Sequence, residues 1–330
     1  MAATSTNKLS RPYISSRFIL ELDEGGGGSQ SVGTLQSIEG GSFKSDVVDE
    51  KVGNQAIVMK YSGRPKFDEV SIQVGMAMAP RFWKWIAKSF SYEAERRNGA
   101  LVALDFDNRE RWRRNFFGAL IKEVTFPTLD GSAKDPAYLT IKFVVENLED
   151  DSSKKGNKHA AEQESKGEWE KQRLWLPSMF TFKVDGLTGD NQETVKVESF
   201  SVKQEVIDVP VGGKLLTTKE PGRVDFPNLA VTILQRDADP WMKWWDDFVR
   251  TGNHEQSKQK TGHISYLKRT AKGPGILTGE PLLEIDLFGL GILGVSPVKH
   301  ESKQVQLQKV KLDLYVESMS LRPGSGTVSS

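Results

Sequence analysis

The sequence predicts a mainly β protein with α elements (α+β): two tandem β-sandwich or small-barrel domains, each with one flanking helix. Three observations carry this. The chain repeats itself at a nearly constant offset, its apolar residues alternate over many short segments, and once in each copy that alternation gives way to a helical period.

The repeat sets the domain organisation. Ser45–Gly53 (SDVVDEKVG) returns 159 residues later as Gln204–Gly212 (QEVIDVPVG). The same offset carries Gly63, Arg64 and Phe67 onto Gly222, Arg223 and Phe226, and EVSIQV onto NLAVTI. Farther on the offset is 171, and Phe117, Gly118, Ile121 and Val124 meet Phe288, Gly289, Ile292 and Val295. Extra loop residues in the second copy account for the drift. The expected layout is an N-terminal arm (1–16), a first domain (17–149), a charged linker (150–176), a second domain (177–320) and a C-terminal tail (321–330).

Each copy opens on an alternating strand, RFILELD at Arg17–Asp23 and MFTFKVD at Met179–Asp185, with Phe18, Leu20 and Leu22 or Phe180, Phe182 and Val184 on one face. A second strand follows near Thr34–Lys44 or Thr194–Gln204, then a polar Gly-containing loop, then the strand around Val70–Val74 or its repeat. Trp241, Trp244, Trp245, Phe248 and Val249 lie on one helical face, with Asp239 a candidate N-cap and Pro240 suited to the first position. Phe82, Trp83, Ile86 and Phe90 do the same after Pro80. Strands near Ala100–Asp105, Asn115–Val124 and Tyr138–Glu146 close the first copy. Between the copies, Glu149–Gln172 is charged and poor in apolar residues, which predicts a solvated linker.

Composition narrows the function. Forty-five Lys and Arg against 44 Asp and Glu leave a net charge of +1, which predicts no avid nucleic-acid or membrane partner. The absence of cysteine excludes disulfides and thiolate metal sites. The opening MAATSTNKLSRPYISSR has no apolar core of a secretory signal, and no apolar run approaches the roughly 20 residues that span a bilayer, so a soluble chain made in the cytoplasm is expected.

Sites of chemistry are not expected: no catalytic, cofactor or metal residue is assigned, and the chain reads as no enzyme. Gly289–Gly294 fits G-x-G-x-x-G, but SPVKH follows where a dinucleotide loop needs a helix, so a Gly-rich strand or bend is expected. The run Gly25–Gly28 lacks a following Lys-Ser/Thr and reads as a turn. His159, His254, His263 and His300 have no ligand-spaced partner. Arg109, Arg111, Arg113 and Arg114 surround Trp112; an exposed strand or turn whose arginines form salt bridges is the favoured reading, and contact with nucleic acid the other.

The first copy resembles the tail-tube proteins of contractile phages and the inner-tube proteins of related injection systems. RFILELD, Asp46–Val48, KYSGRPKFDEVSIQVGM at Lys60–Met76, FWKW at Phe82–Trp85, ERRNGALVALD at Glu95–Asp105 and the closing strand at Leu139–Glu146 carry the resemblance. The second copy keeps the order of elements but has QKTGHISYL at Gln259–Leu267 in place of the RRNG element.

The resemblance implies rings of six such domains. A fused pair then implies a homotrimer forming a pseudo-hexameric ring around a lumen, with neighbouring tube, baseplate and sheath proteins as partners and cargo or DNA passing through. It implies walls built from the strands of Val70, Ile72 and Val74 with Ile141, Phe143 and Val145, and of Leu229, Val231 and Ile233 with Leu312, Leu314 and Val316. The segments of Val47, Val48 and Asp49, and of Val206, Ile207 and Asp208, would meet the next ring or the sheath. A tube subunit, a tube-initiator and a trimeric hub adaptor joining tube to spike all fit. A secreted carbohydrate-binding β-sandwich is the rival class, but it predicts aromatics on strands or loops rather than at helical spacing.

Overall fold

A computed structural model describes residues 17–24, 28–50, 58–91, 93–159, 175–187, 194–213, 215–268, 279–298 and 307–324. The Gly25–Gly27 part of the expected turn, His300 and most of the linker lie outside the described residues.

The first copy is a closed barrel. Its strands are β1 (Arg17–Glu24), β2 (Gly28–Gly40), β3 (Phe43–Glu50), β4 (Met59–Phe67), β5 (Val70–Val74), β6 (Arg97–Leu104), β7 (Glu110–Phe126), β8 (Leu129–Asp130), β9 (Leu139–Val144) and β10 (Asn147–Asp150), with helix α1 (Pro80–Phe90) between β5 and β6. Antiparallel pairing runs β1–β2–β5–β9–β7–β6 and returns to β1. Closure gives every strand in that circuit a neighbour on each side, over part or all of its length. Alternation fills the interior: Leu20, Val70, Ile72, Val74, Ile141 and Phe143 are buried, and α1 seats Phe82, Trp83, Trp85 and Ile86 in the same core.

The second copy repeats the order: β11 (Phe180–Val184), β12 (Thr194–Val197), β13 (Phe200–Val209), β14 (Thr218–Asp225), β15 (Leu229–Leu234), α2 (Asp239–Trp245), β16 (Lys260–Leu267), β17 (Pro281–Pro297), β18 (Lys309–Tyr315) and β19 (Ser318–Pro323). Its sheet runs β11–β16–β17–β18–β15–β12 and continues into β8 of the first copy. The register confirms the repeat residue by residue. Ile38 pairs with Ile72 as Val197 pairs with Val231, and Val124 pairs with Ile141 as Val295 pairs with Leu312.

Several elements differ from expectation. Asp239 is not the N-cap of α2: the 3₁₀ turn Gln235–Asp237 runs straight into it, so Ala238 holds the cap position and Asp239 falls in the first turn. Beyond Trp245 the helix widens into a π-helical turn, Asp246–Arg250, which leaves Val249 exposed while Phe248 stays buried. The polar stretch read as a loop after Val48 is a hairpin, β3–β4, with the counterpart β13–β14. The first residues of the linker fold back on the first domain. The N–H groups of Asp151 and Gly156 donate to Arg113 and Glu110 carbonyls, and that of His159 to Asn108. Strand β19 carries the second domain past Ser320 into the expected tail, pairing Leu321, Arg322 and Pro323 with β17.

Candidate assembly interface

The two domains of one chain are joined by shared sheet. The base of β13 pairs with the end of β7, with Phe200 opposite Phe126, Ser201 opposite Thr125, Val202 opposite Val124 and Lys203 opposite Glu123. Beside it β12 pairs with β8. Phe126 and Phe200 stack at 4.8 Å, and Phe226 at the base of the hairpin meets Phe90 of α1 edge-on at 6.3 Å. Thr125 Oγ1 and Ser201 Oγ lie 2.7 Å apart. Polar groups complete the seam: Arg96 donates to the Lys219 carbonyl (2.6 Å) and to Glu220 (2.5 Å), and the Lys219 N–H donates to Glu146 Oε1 (2.9 Å).

The same hairpin in the first copy has no such neighbour among the described residues. Every residue of β3 is exposed, and β3 and β4 form a separate two-stranded sheet. Phe43, at the position of Val202, is 50% exposed where Val202 is 3% exposed. Phe43 leans on Phe67 at 5.8 Å, and the Arg114 guanidinium lies over its ring at 4.7 Å. Val47 and Val48 are exposed, as is Ile207 on the other hairpin; these three are among the residues expected at an assembly surface. Asp49 is exposed on β3, Val206 is half-buried, and Asp208 pairs with Lys219.

The wall residues sit elsewhere. Val70, Ile72, Val74, Ile141, Phe143, Val145, Leu229, Val231, Ile233, Leu312, Leu314 and Val316 are all buried in the core of the chain. The residues those strands turn outward are their alternates, among them Ser71, Gln73, Thr140 and Lys142 in the first copy and Thr232, Lys311 and Asp313 in the second.

The arginine cluster is held by the chain itself. Arg111 pairs with Asp105, and Arg114 with Asp150 (2.6 Å) and the Gly41 carbonyl (2.7 Å). Arg113 is buried and clamps two buried carboxylates, Glu21 (2.8 Å) and Glu110 (2.8 Å). His159 from the folded-back linker closes over them, its Nε2 2.6 Å from Glu21 Oε1. Inter-subunit pairing is therefore not needed to neutralise Arg111, Arg113 or Arg114. Burial raises the Glu21 carboxyl, but hydrogen bonds from His159 and Arg113 outweigh it and hold the group at about 2. Glu21, Glu110 and His159 also stand close enough to share a metal ion. The Arg113 guanidinium already supplies the positive charge between the two carboxylates. Sequence spacing carries no sign of this cluster, because its members come from β1, β7 and the linker.

Residues 15–149 match the model of a family described as T4-like virus tail tube protein gp19. The first domain is similar to that family along its whole length. No curated protein matches the sequence. Among solved structures, the sheath–tube complex of the extracellular contractile injection system PVC in its extended state aligns at 16% identity with a TM-score of 0.37, over 46% of this chain and 99% of that one. The tube-terminating cap of the anti-feeding prophage AFP aligns at 16% identity and a TM-score of 0.36, over 46% and 99%. Hcp1 of the E. coli EAEC 042 pathovar aligns at 17% and 0.26, over 45% and 92%.

The first domain and its repeat agree in backbone detail and differ in side chains. Gly99 and Gly262 occupy the same place, where a Cβ would meet the carbonyl oxygen of Glu21 or of Lys183, so the RRNG element does have a structural counterpart, Gln259–Gly262. Gly118 and Gly289 share a left-handed backbone (φ 60° and 63°), with Glu146 or Glu317 against them. Gly289–Gly294 thus lies within β17 as a Gly-rich strand. The substitutions fall on the seam and the cluster. Gln259 stands for Arg96, and Lys183 and Glu284 stand for Glu21 and Arg113. Among the described residues no helix is long and apolar enough to cross a membrane.

Proposed function

We propose that this chain is a ring-forming structural component of a contractile tail or injection apparatus. Three copies close a ring of six tail-tube-like domains around a lumen. The observation that carries the reading is the pairing of β13 with β7: one domain already extends the sheet of its neighbour by main-chain hydrogen bonding, and a repeated head-to-tail contact generates a ring when its rotation closes. The exposed outer parts of strands β3 and β13, with Val47, Val48 and Ile207, are suited to meet the next ring, the sheath or the baseplate. The outward alternates of β5, β9, β15 and β18 are largely polar, as a wall in contact with water requires, and cargo or DNA would pass along such a wall without tight binding. No catalytic role is assigned.

A second reading, an adaptor between a sixfold tube and a threefold spike, is favoured by one observation. The folded-back linker covers the Glu21 cluster of the first domain, whereas in the second domain Asp185, His263, Asp286 and Arg322 line an open depression. A ring alternating these two surfaces has threefold symmetry on that side. Negative-stain microscopy of the purified chain, with the mass measured on the same sample, tests the reading. Open-centred rings of three chains support it, stacked rings favour a tube over an adaptor, and a compact monomer at every concentration overturns it.

A further inference from the structure

The chain contains both halves of an interface that it makes once among the described residues. In the seam, the base of β13 occupies the outer edge of β7. The repeat supplies a second donor, the base of β3, and a second acceptor, the end of β17. Residues 294–297 of β17 pair with β18 on one side, as 123–125 of β7 pair with β9. On the other side β7 carries β13, whereas β17 carries no strand over this stretch among the described residues.

Backbone direction agrees. The Val298 N–H donates to the Lys309 carbonyl on β18, so by alternation Val295 and Pro297 turn their main-chain groups to the open edge. On β3, the Ser42 carbonyl accepts from the Asp68 N–H, so Phe43 turns its groups outward. Pro297 has no N–H to offer. Its opposite number would be Gly41, whose carbonyl already accepts from Arg114 (2.7 Å) and whose N–H donates to Glu69 (3.1 Å), so Gly41 does not need a donor from Pro297.

We infer that the base of β3 in one chain adds to the free edge of β17 in a second copy of this chain, with Ser42 opposite Ser296, Phe43 opposite Val295 and Lys44 opposite Gly294. This rests on the ring reading and names its closing contact. The side chains around it follow the seam. Phe67 takes the place of Phe226 and meets Val249, which is exposed where its counterpart Phe90 is buried. The Lys60 N–H takes the place of that of Lys219, with Glu317 standing where Glu146 accepts it. Burial of half-exposed Phe43 and partial cover of Val295 supply an apolar contribution, and an exposed edge strand is removed. Pro297 limits the edge to a short pairing and blunts it against indiscriminate strand addition.

A chain without cysteine makes the test direct. Thr125→Cys with Ser201→Cys joins the known seam, where the two side chains touch, and serves as the internal control. Ser42→Cys with Ser296→Cys places thiols at the inferred counterpart, both at exposed positions. After mild oxidation, non-reducing denaturing electrophoresis should shift the second variant from one chain to covalent dimers and trimers, reversed by reductant. Each single variant should stay at one chain, and the control should lose its thiols without a change of mass. Rings visible in the microscope with no cross-link in the Ser42/Ser296 variant would overturn this contact and leave the ring reading standing. A sample that is monomeric by mass, with the control oxidised and no intermolecular cross-link, would overturn both.

Discussion

The hairpins β3–β4 and β13–β14 occupy the same place in the two copies of the repeat and end in different surroundings. One is docked by its base on a neighbouring barrel, and Val202 is buried; the other stands free, and Phe43 is exposed. Nothing in either hairpin's own sequence explains the difference. What decides it is whether a β7-like edge lies within reach in the same chain. The burial of such a hairpin's base reports the presence of a neighbour.

The largest way to break the comparison is at the docked base. Phe126→Ala removes a buried ring that stacks on Phe200 and touches Phe90 and Tyr266, and should cost about 3–5 kcal/mol of stability by urea unfolding. An unchanged midpoint would mean that the seam is not a packed core.

Acid should separate the two domains next. The folded-state value of Glu21, about 2, lies below its ordinary 4.5. Its ionised form therefore stabilises the fold above about pH 4.5, and that stabilisation is lost as pH falls toward 2. The loss should be about 3 kcal/mol at most. Lys183 stands at this position in the second domain, so the first should become the more acid-sensitive. Glu21→Gln should flatten the pH dependence of unfolding over that window, and an equal slope in both proteins would refute the assignment.

Smaller still is the seam's polar rim. Arg96→Gln, which gives the first domain the residue of the second, breaks partly exposed pairs to Glu220 and Glu146 and should cost about 1 kcal/mol or less in thermal unfolding. The smallest effect on the isolated chain sharpens the contrast most. Phe43→Ser should change the stability of a single chain by only about 0.5 kcal/mol, yet reduce ring formation measured by mass at fixed concentration. Hydrogen exchange on the isolated chain should find the amides of β13 near Val202 protected and those near Phe43 open; equal protection would remove the distinction between the hairpins.

Much of the fold was legible because local pattern and tertiary role coincide. RFILELD alternates because β1 has one face in the barrel, and the Phe82–Phe90 and Trp241–Phe248 spacings are helical because one side of α1 and α2 is core. The hairpins were less legible: SDVVDE is exposed on both faces, so no burial imprints an alternation on it. The residues that the resemblance places on wall strands are buried in the chain's own core, because alternation identifies a buried face without saying what surface the strand's other face meets.

By itself the sequence determined that this protein has two copies of one β-rich unit, with a helix in each and no thiol chemistry. These follow from repetition, periodicity and composition, which are local properties. Only the tertiary structure decided that β13 closes on β7, that Arg113 is locked between Glu21 and Glu110 beneath His159, and that the base of β3 and the end of β17 each keep one edge without a further strand among the described residues. Each of these joins or separates residues far apart in the chain, and distance along a sequence carries no signal of which strand edges will meet once the barrels have closed.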